Sequence, residues 1–411
     1  MKKLLIPCLA LVIVVAWLFG LACFEKVLSA EKKPIKVGVI WDYTGTVAED
    51  ARRCTLGLKM VVDEFNAAGG LNGRRIELIL RDTKQQAGVA AREARDLVYN
   101  QKVDFLAGSN NSAAVLAVSE VAKEAKKIYI GVGKSKKITE DRGHRYIFNP
   151  DGNTRLTGGD QAYVLAQEPY TKYVTLCGDY AWGRDLAEDF ENSILKFKPN
   201  AQLLKKLWPK FGEKDFTPFI TSILSLNPEV LFCAIWGGDA VTFIRQAKPY
   251  GLFEKMRVVC FGSQSVFEAL GKDMPEGIYF YLEYHFLYPG KESEKFEKRY
   301  YDYSGLHADS MAYNGWVCGT TLVEGIKKAG TTETEAVVKA LEGLSFMTPV
   351  GKKITIRACD HLAPLYTLVG KTKFVPEYPD WAVLVDFKMH PNPEELLISC
   401  DEVRRLREAA K

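Results

Sequence analysis

The chain is short of the residues on which metal and covalent catalysis depend. Its five histidines stand singly and no two cysteines have CxxC spacing, so the usual zinc-holding sets are missing. No HExxH, GxxxxGK[ST] or dinucleotide fingerprint occurs, and no Ser-His-Asp arrangement can be picked out. Formal net charge is only +4 over 411 residues, with Lys and Arg dispersed, so nothing marks a nucleic-acid surface. Long apolar runs are scarce as well; the single one lies near the start. These absences argue against an enzyme, a metalloprotein and a nucleic-acid binder, and no cofactor is expected.

What is there begins with residues 1–30. "MKK" precedes the apolar run "LLIPCLALVIVVAWLFGLACF", and "EKVLSA" ends in small residues. This is the pattern of a secretory signal peptide cleaved near Ala30. An uncleaved membrane anchor is the alternative, because the run is long enough to span a bilayer. Cys23 raises a lipoprotein reading, but Gly20-Leu21-Ala22-Cys23 lacks the aliphatic residue usual three places before a lipidated cysteine. Export leaves seven cysteines, an odd number, so at least one thiol stays free or pairs between chains. Cys177, Cys233 and Cys260 sit in apolar, strand-like runs and are expected to be buried thiols. Cys359 and Cys400 flank the last segment and are the expected disulfide.

The rest of the chain alternates strand and helix. "IKVGVIW" is β-branched and apolar, and Leu58, Val61, Val62 and Phe65 follow at i, i+3, i+4, i+7 on one helix face. Gly69-Gly70 stops that helix, Asn72-Gly73 makes a turn, and "RIELILRD" is the next strand. The rhythm restarts after "RYIFNPDGN" with "KYVTLCGD" and runs to "MRVVCFG". Repeated βα units predict a parallel sheet clothed by helices on both faces, and two such runs predict two doubly wound α/β lobes. In such sheets ligands sit beyond the carboxyl ends of the strands.

The order of motifs resembles the substrate-binding proteins of branched-chain amino-acid-type ABC transporters, the type I periplasmic binding proteins. The stretches that carry the resemblance are "VGVIWDYTG", "FNAAGGLNGRRIEL", "DYAWGRDLAEDF", "DFTPFITSILSLNPEVLF" and "MAYNGWVCGTTLVEGIKKAGTTETEAVVKALEG", with "IRACDHLAPLY" near the end. The resemblance implies two lobes joined by three crossovers, near Pro150, Tyr284 and His361. Lobe I then holds 31–150 and 285–360, and lobe II holds 151–284 and 361–411. It also implies a ligand in the cleft that hinge closure buries.

Mapped onto this sequence, the resemblance places Ser112, with Asn111 beside it, and Ser135 as ligand contacts at strand ends of lobe I. Ser112 also stands where a helix begins, so it reads equally as an N-cap. Lys134 falls where relatives usually carry alanine. It is either a fixed charge for an anionic ligand group or part of a solvated cluster with Lys136 and Lys137. In lobe II, Trp182 and Trp236, each beside glycine, and Tyr180 stand where aromatics face the ligand. Ser263 and Gln264 occupy the loop where amino-acid binders often place a carboxylate for the ligand's ammonium; Asp42, Asp50, Asp239 and Glu283 are acids that can replace it. The expected function is a periplasmic binding protein that passes an amino acid, aromatic carboxylate or short-chain carboxylate to an ABC permease, meeting the membrane only through that permease. The alternative is a sensor subunit feeding a membrane receptor.

Overall fold

The computed structural model describes residues 32–410; the leader, its cleavage near Ala30, Cys8 and Cys23 lie outside them. Strands β1 (Ile35–Trp41), β2 (Ile76–Asp82), β3 (Phe105–Gly108), β4 (Tyr129–Gly131) and β5 (Ile147–Phe148) form an all-parallel sheet in the order β2-β1-β3-β4-β5. Strands β6 (Lys172–Cys177), β7 (Gln202–Leu207), β8 (Val230–Ala234), β9 (Arg257–Phe261) and β10 (Tyr279–Leu282) repeat that order as β7-β6-β8-β9-β10, again parallel. Each sheet therefore reverses its winding beside its first strand, which opens a crevice at the carboxyl end. The two crevices face one another.

After β10 the chain returns to the first lobe with helices Lys291–Ser304, Ser310–Ala329 and Thr334–Leu341 and a small hairpin of β11 (Ser345–Met347) and β12 (Lys353–Thr355). It then crosses again and adds β13 (Leu368–Val375) and β14 (Tyr378–Lys388) antiparallel at the β10 edge. The βα rhythm does not announce these last two strands. They form an antiparallel hairpin whose register shifts at two places, and Pro379 inside the second of them is an edge-strand residue by its missing N–H.

The chain passes between the lobes in segments 149–153, 283–290 and 356–367. The first and third are laced together: the Asn149 N–H donates to the His361 carbonyl at 2.9 Å, and the Ala363 N–H to the Asn149 carbonyl at 3.0 Å. Cys359 and Cys400 form a disulfide, with Cα atoms 5.7 Å apart, that ties the terminal helix Cys400–Ala409 to the third crossing. Cys177, Cys233 and Cys260 are buried free thiols, as are Cys54 and Cys318.

Local chemistry sets these elements. Helix Ala48–Ala67 ends where Gly69 and Gly70 take φ of +97° and +64°. A Cβ on Gly70 would lie 2.1 Å from the Arg74 carbonyl, so only glycine fits the turn. The Asn66 side chain then bonds both backbone groups of Ile76, at 2.7 and 2.9 Å, and pins the helix end to the start of β2. "NAAGGLNGR" is thus scaffold. Helix Ser310–Ala329, capped by the Asp309 carboxylate on the N–H groups of Met311 and Ala312, packs on helix Ala48–Ala67 along a glycine seam. A Cβ on Gly315 would stand 1.8 Å from the Cys54 carbonyl, and one on Gly57 2.2 Å from the Ala312 carbonyl.

Backbone atoms line that seam and cannot swing aside as a side chain can. Gly315→Ala should therefore lower the unfolding free energy by about 2–3 kcal/mol, toward the upper part of the overpacking range. Gly88→Ala, in a helix with open space around the new methyl, should leave stability unchanged or raise it by up to about 1 kcal/mol. Urea titrations of the two variants check the contrast.

Candidate functional site

Where the two crevices face each other they enclose a cavity of about 440 Å³, its open mouth included. One half of its wall is aromatic and comes from the second lobe. Tyr180 and Trp182 follow β6 at the start of helix Ala181–Phe197, Trp236 follows β8, Phe261 ends β9, and Tyr281 lies on β10. The turn after β6 is tight, because a Cβ on Gly183 would stand 2.0 Å from the Gly178 carbonyl. This carries Tyr180 and Trp182 to the cavity edge. The Trp236 indole N–H donates to the Tyr180 hydroxyl at 2.7 Å. Phe261 meets Trp182 and Trp236 edge-on, with centroids 5.8 and 6.5 Å apart, the geometry that aromatic quadrupoles favour. Trp182 and Trp236 are 6% and 7% exposed, so they are walls of an enclosed space and not surface residues. From the first lobe come Asn110, Val132, Met311 and Asn314.

The polar end of the cavity is a charge cluster. Lys134, just past β4, reaches Asp151 Oδ2 at 2.7 Å and Glu283 Oε1 at 3.0 Å, and also donates to the Asp151 carbonyl. An ammonium has three hydrogens, and these are its three acceptors. Burial pushes the Asp151 carboxyl up to about 8, with Glu283 adding to the rise and Lys134 opposing it. Burial also works against the charge on Lys134, but Asp151 and Glu283 outweigh it and its pKa is raised. Asn314 donates to Asp151 Oδ2 at 2.9 Å. Asp151 Oδ1, Glu283 Oε2 and the Tyr281 hydroxyl are buried with no partner within the protein.

Lys134 therefore corrects both readings of the sequence. It lines the cavity and so is no member of a solvated cluster, and its donors are already taken, so none is free for an anionic ligand. Its neighbours part from it: Lys136 pairs with Glu188 and Asp189 of the other lobe at 3.0 and 2.9 Å, and Lys137 is exposed.

Of the other residues singled out, Tyr180, Trp182, Trp236 and Glu283 line the cavity; the rest lie outside its wall. Ser112 Oγ accepts the Ser135 N–H at 3.0 Å, and the Ser135 hydroxyl donates to Asp185 across the lobes. The N-cap of helix Ser112–Ala125 is Asn111, whose side-chain oxygen takes the N–H groups of Ala113 and Ala114, so neither Asn111 nor Ser112 points its hydrogen-bonding group at the cavity. Ser263 bonds Ser265, which donates to Asp50 at 2.5 Å; the Gln264 N–H donates to Asp309 at 2.9 Å. Burial lifts Asp50 to about 7, against its bond from Ser265. Asp42 accepts the Gln85 N–H through Oδ1 at 3.2 Å and is lifted by burial to about 6. Sequence reasoning missed Asn110, Phe261, Tyr281, Asn314 and Asp151; the acid and glycine of "NPDGN" at the lobe crossing were the available signal.

The chain matches the periplasmic binding protein family over residues 34–370. It is 23% identical over 325 residues to the leucine-, isoleucine-, valine-, threonine- and alanine-binding protein of Pseudomonas aeruginosa, spanning 77% of this chain and 84% of that protein. Among solved structures, a periplasmic binding protein from Burkholderia mallei superposes with a TM-score of 0.80 at 23% identity, covering 90% of this chain and 98% of that one. A solute-binding protein of an ABC transporter from R. palustris, in complex with benzoate, superposes with a TM-score of 0.77 at 22% identity, covering 86% and 96%.

Two outcomes follow from the buried cluster. Lys134→Met leaves two buried acids without their counter-charge and should lower the unfolding free energy by about 3–5 kcal/mol, whereas exposed Lys137→Met should change it by less than about 1; denaturant melts at pH 7 compare them. Asp151 also links stability to pH. Between its unfolded value of 3.8 and its folded value of about 8 the native state holds a proton that the unfolded chain has lost. Its contribution therefore fades as pH rises through that window, by at most about 1.4 kcal/mol per unit. Unliganded protein should melt at progressively lower temperature from pH 6.5 to 8.5, and Asp151→Asn should flatten the decline.

Proposed function

This chain belongs to the periplasmic binding protein family, and we propose that it is the solute-binding component of an ABC transporter. In this reading it captures one small ligand with an aromatic or bulky apolar body between its lobes and hands it to a permease. The observation that carries the reading is the wall of Tyr180, Trp182, Trp236, Phe261 and Tyr281, set at the carboxyl ends of the second sheet and closed over by the first lobe. Enclosed aromatic surface is what an apolar ligand body needs, and rigid rings provide it at small entropy cost. The relatives support a small organic ligand: one is named for aliphatic amino acids and another holds benzoate. The leader expected at residues 1–30 fits delivery to the periplasm.

The lobes already touch around the mouth. Arg53 Nη2 lies 2.7 Å from Glu268 Oε2, and the Gly238 N–H donates to the Thr46 carbonyl at 3.2 Å. This is the closed arrangement, and a ligand that contacts both lobes favours it over an open one.

A thermal-shift screen of amino acids and aromatic carboxylates identifies a ligand, since binding only the folded state raises the melting temperature. With that ligand, small-angle scattering should show a smaller radius of gyration than without it. Trp182→Ala should weaken binding by about 1–3 kcal/mol, the range for losing a buried aromatic contact. Ser112→Ala should change it by less than about 0.5 kcal/mol, because Ser112 lies outside the cavity wall and its loss touches only a hydrogen bond of modest net worth. Calorimetry that ranks the two variants the other way round, or an unchanged radius at saturation, overturns the reading.

A further inference from the structure

We propose that the C-terminal helix Cys400–Ala409 is a strap across the hinge, and that its disulfide is a redox-sensitive clasp limiting how far the lobes part. The strap acts whatever fills the cavity. Apolar contact anchors this helix weakly, for Val403 is its one buried residue. Polar and covalent ties hold it instead. At its start the Cys359–Cys400 bond joins it to the third crossing. Just before, the Ile398 carbonyl accepts an N–H of Arg357 at 3.1 Å, and Asp360 holds Arg357 in place. Near its end Arg407 donates to three backbone carbonyls, those of Thr139 at 2.7 Å, Glu140 at 3.0 Å and Cys359 at 3.1 Å. The first two belong to the first lobe and the third to the crossing. Gly143 makes room for the guanidinium, since a Cβ there would stand 2.3 Å from Arg407 Nη2. Upstream the chain is seated on the second lobe. Leu396 fills the space above Gly159 of helix Thr154–Ala166, where a Cβ would lie 2.7 Å from Leu396 Cδ2. From Leu396 to Arg407 the chain thus runs from the second lobe, past the crossing, to the first.

Parting the lobes carries the Thr139 and Glu140 carbonyls away from the seat of Leu396. Arg407 resists through hydrogen bonds that its charge strengthens. The disulfide keeps Arg407 within reach of those carbonyls. With the helix start held to the crossing, broken contacts re-form within one molecule at high effective concentration. Once the bond is cut, a helix of 10 residues that buries one side chain has little to keep it in place.

The bond is also placed where it can be cut. Cys400 is exposed and Cys359 half-buried, and both border an open groove of about 1470 Å³ beside helix Ser112–Ala125. The free cysteines among the described residues are all buried, so this is the sulfur pair that a thiol in solution reaches. One thiolate of a dithiol reductant attacks Cys400 Sγ; the S–S bond breaks, and its electron pair leaves on Cys359 Sγ, which takes up a proton. The second thiolate attacks the reductant's own sulfur in the mixed disulfide and releases Cys400 as a thiol. Two electrons and two protons pass to the cysteine pair, and the reductant leaves as a disulfide.

Small-angle scattering and hydrogen exchange on the ligand-free protein test this. Reduction with dithiothreitol, or the paired change Cys359→Ser and Cys400→Ser, should raise the radius of gyration. Amides of 136–143 should then exchange on the order of ten-fold faster, while those of β6 keep their rates. Arg407→Met, with the disulfide intact, should move both readouts in the same direction. Added to the paired serine variant it should move them little further, because both changes act through one strap. Should the serine variant fold poorly, dithiothreitol on the native protein and Arg407→Met still decide. A disulfide that only stabilises the fold lowers the melting temperature on reduction and leaves radius and exchange unchanged. That result, or an Arg407→Met protein indistinguishable from wild type in both readouts, overturns the strap. A bond that dithiothreitol leaves intact in the native protein overturns the redox clasp.

Discussion

The structure turns on a lysine buried between two acids. Lys134 belongs to the first lobe, Asp151 to the first crossing and Glu283 to the second, and the three meet within 3.0 Å. Ionised groups enter a protein interior only where partners replace the water they give up. Lys134 therefore fixes the place of both connecting segments relative to the lobe-I sheet, and with them the angle at which the second lobe hangs. The Asn149–His361 ladder adds the third crossing to the same assembly. Two of the three connecting segments are thus anchored at one point. The cavity opens directly onto that anchor.

Much of the architecture was legible because it rests on local rules. The βα alternation, the Gly69-Gly70 stop and the apolar strands each declare themselves within a dozen residues. The β13–β14 hairpin escaped because it breaks the alternation. In the site, Trp182 and Trp236 could be read from glycines beside large rings at strand ends. The serines misled for a physical reason: a hydroxyl at a strand end is available to a ligand only if nothing nearer claims it, and Ser112 and Ser135 claim each other and Asp185. Lys134 misled for the complementary reason. Sequence shows a lysine's neighbours along the chain, Lys136 and Lys137, but its charge is settled by partners from two other segments. Glu283 could be named only as one of four acids able to stand in for the missing carboxylate, Asp151 was not named at all, and only the fold brings the two together on Lys134.

The cavity divides its work between two kinds of wall. The aromatic half offers area, which is tolerant: a ring accepts a leucine side chain or a phenyl group with little difference in free energy. The charged half offers paired and unpaired oxygens, which are exacting, because a group that fails to satisfy them leaves a buried acceptor exposed to nothing. A binding protein built this way discriminates by the polar end of its ligand more than by the body. The shape of the cavity alone is therefore a poor guide to what fills it.

Closure rests on contacts the protein makes with itself as well as on the ligand. Around the mouth, Ser265 holds Asp50, Arg53 holds Glu268, Ser135 holds Asp185 and Lys136 holds Asp189, each pair joining one lobe to the other. In each pair at least one partner is buried, so screening by solvent is limited, and together the pairs favour the arrangement in which the lobes meet. A ligand shifts that equilibrium only by its differential affinity for the two states. The smaller the gap the protein leaves, the less binding energy is spent on closing. Contacts of this kind are lost when lobes part, so a ligand that touches both lobes adds to a preference that the lobe-to-lobe pairs already supply.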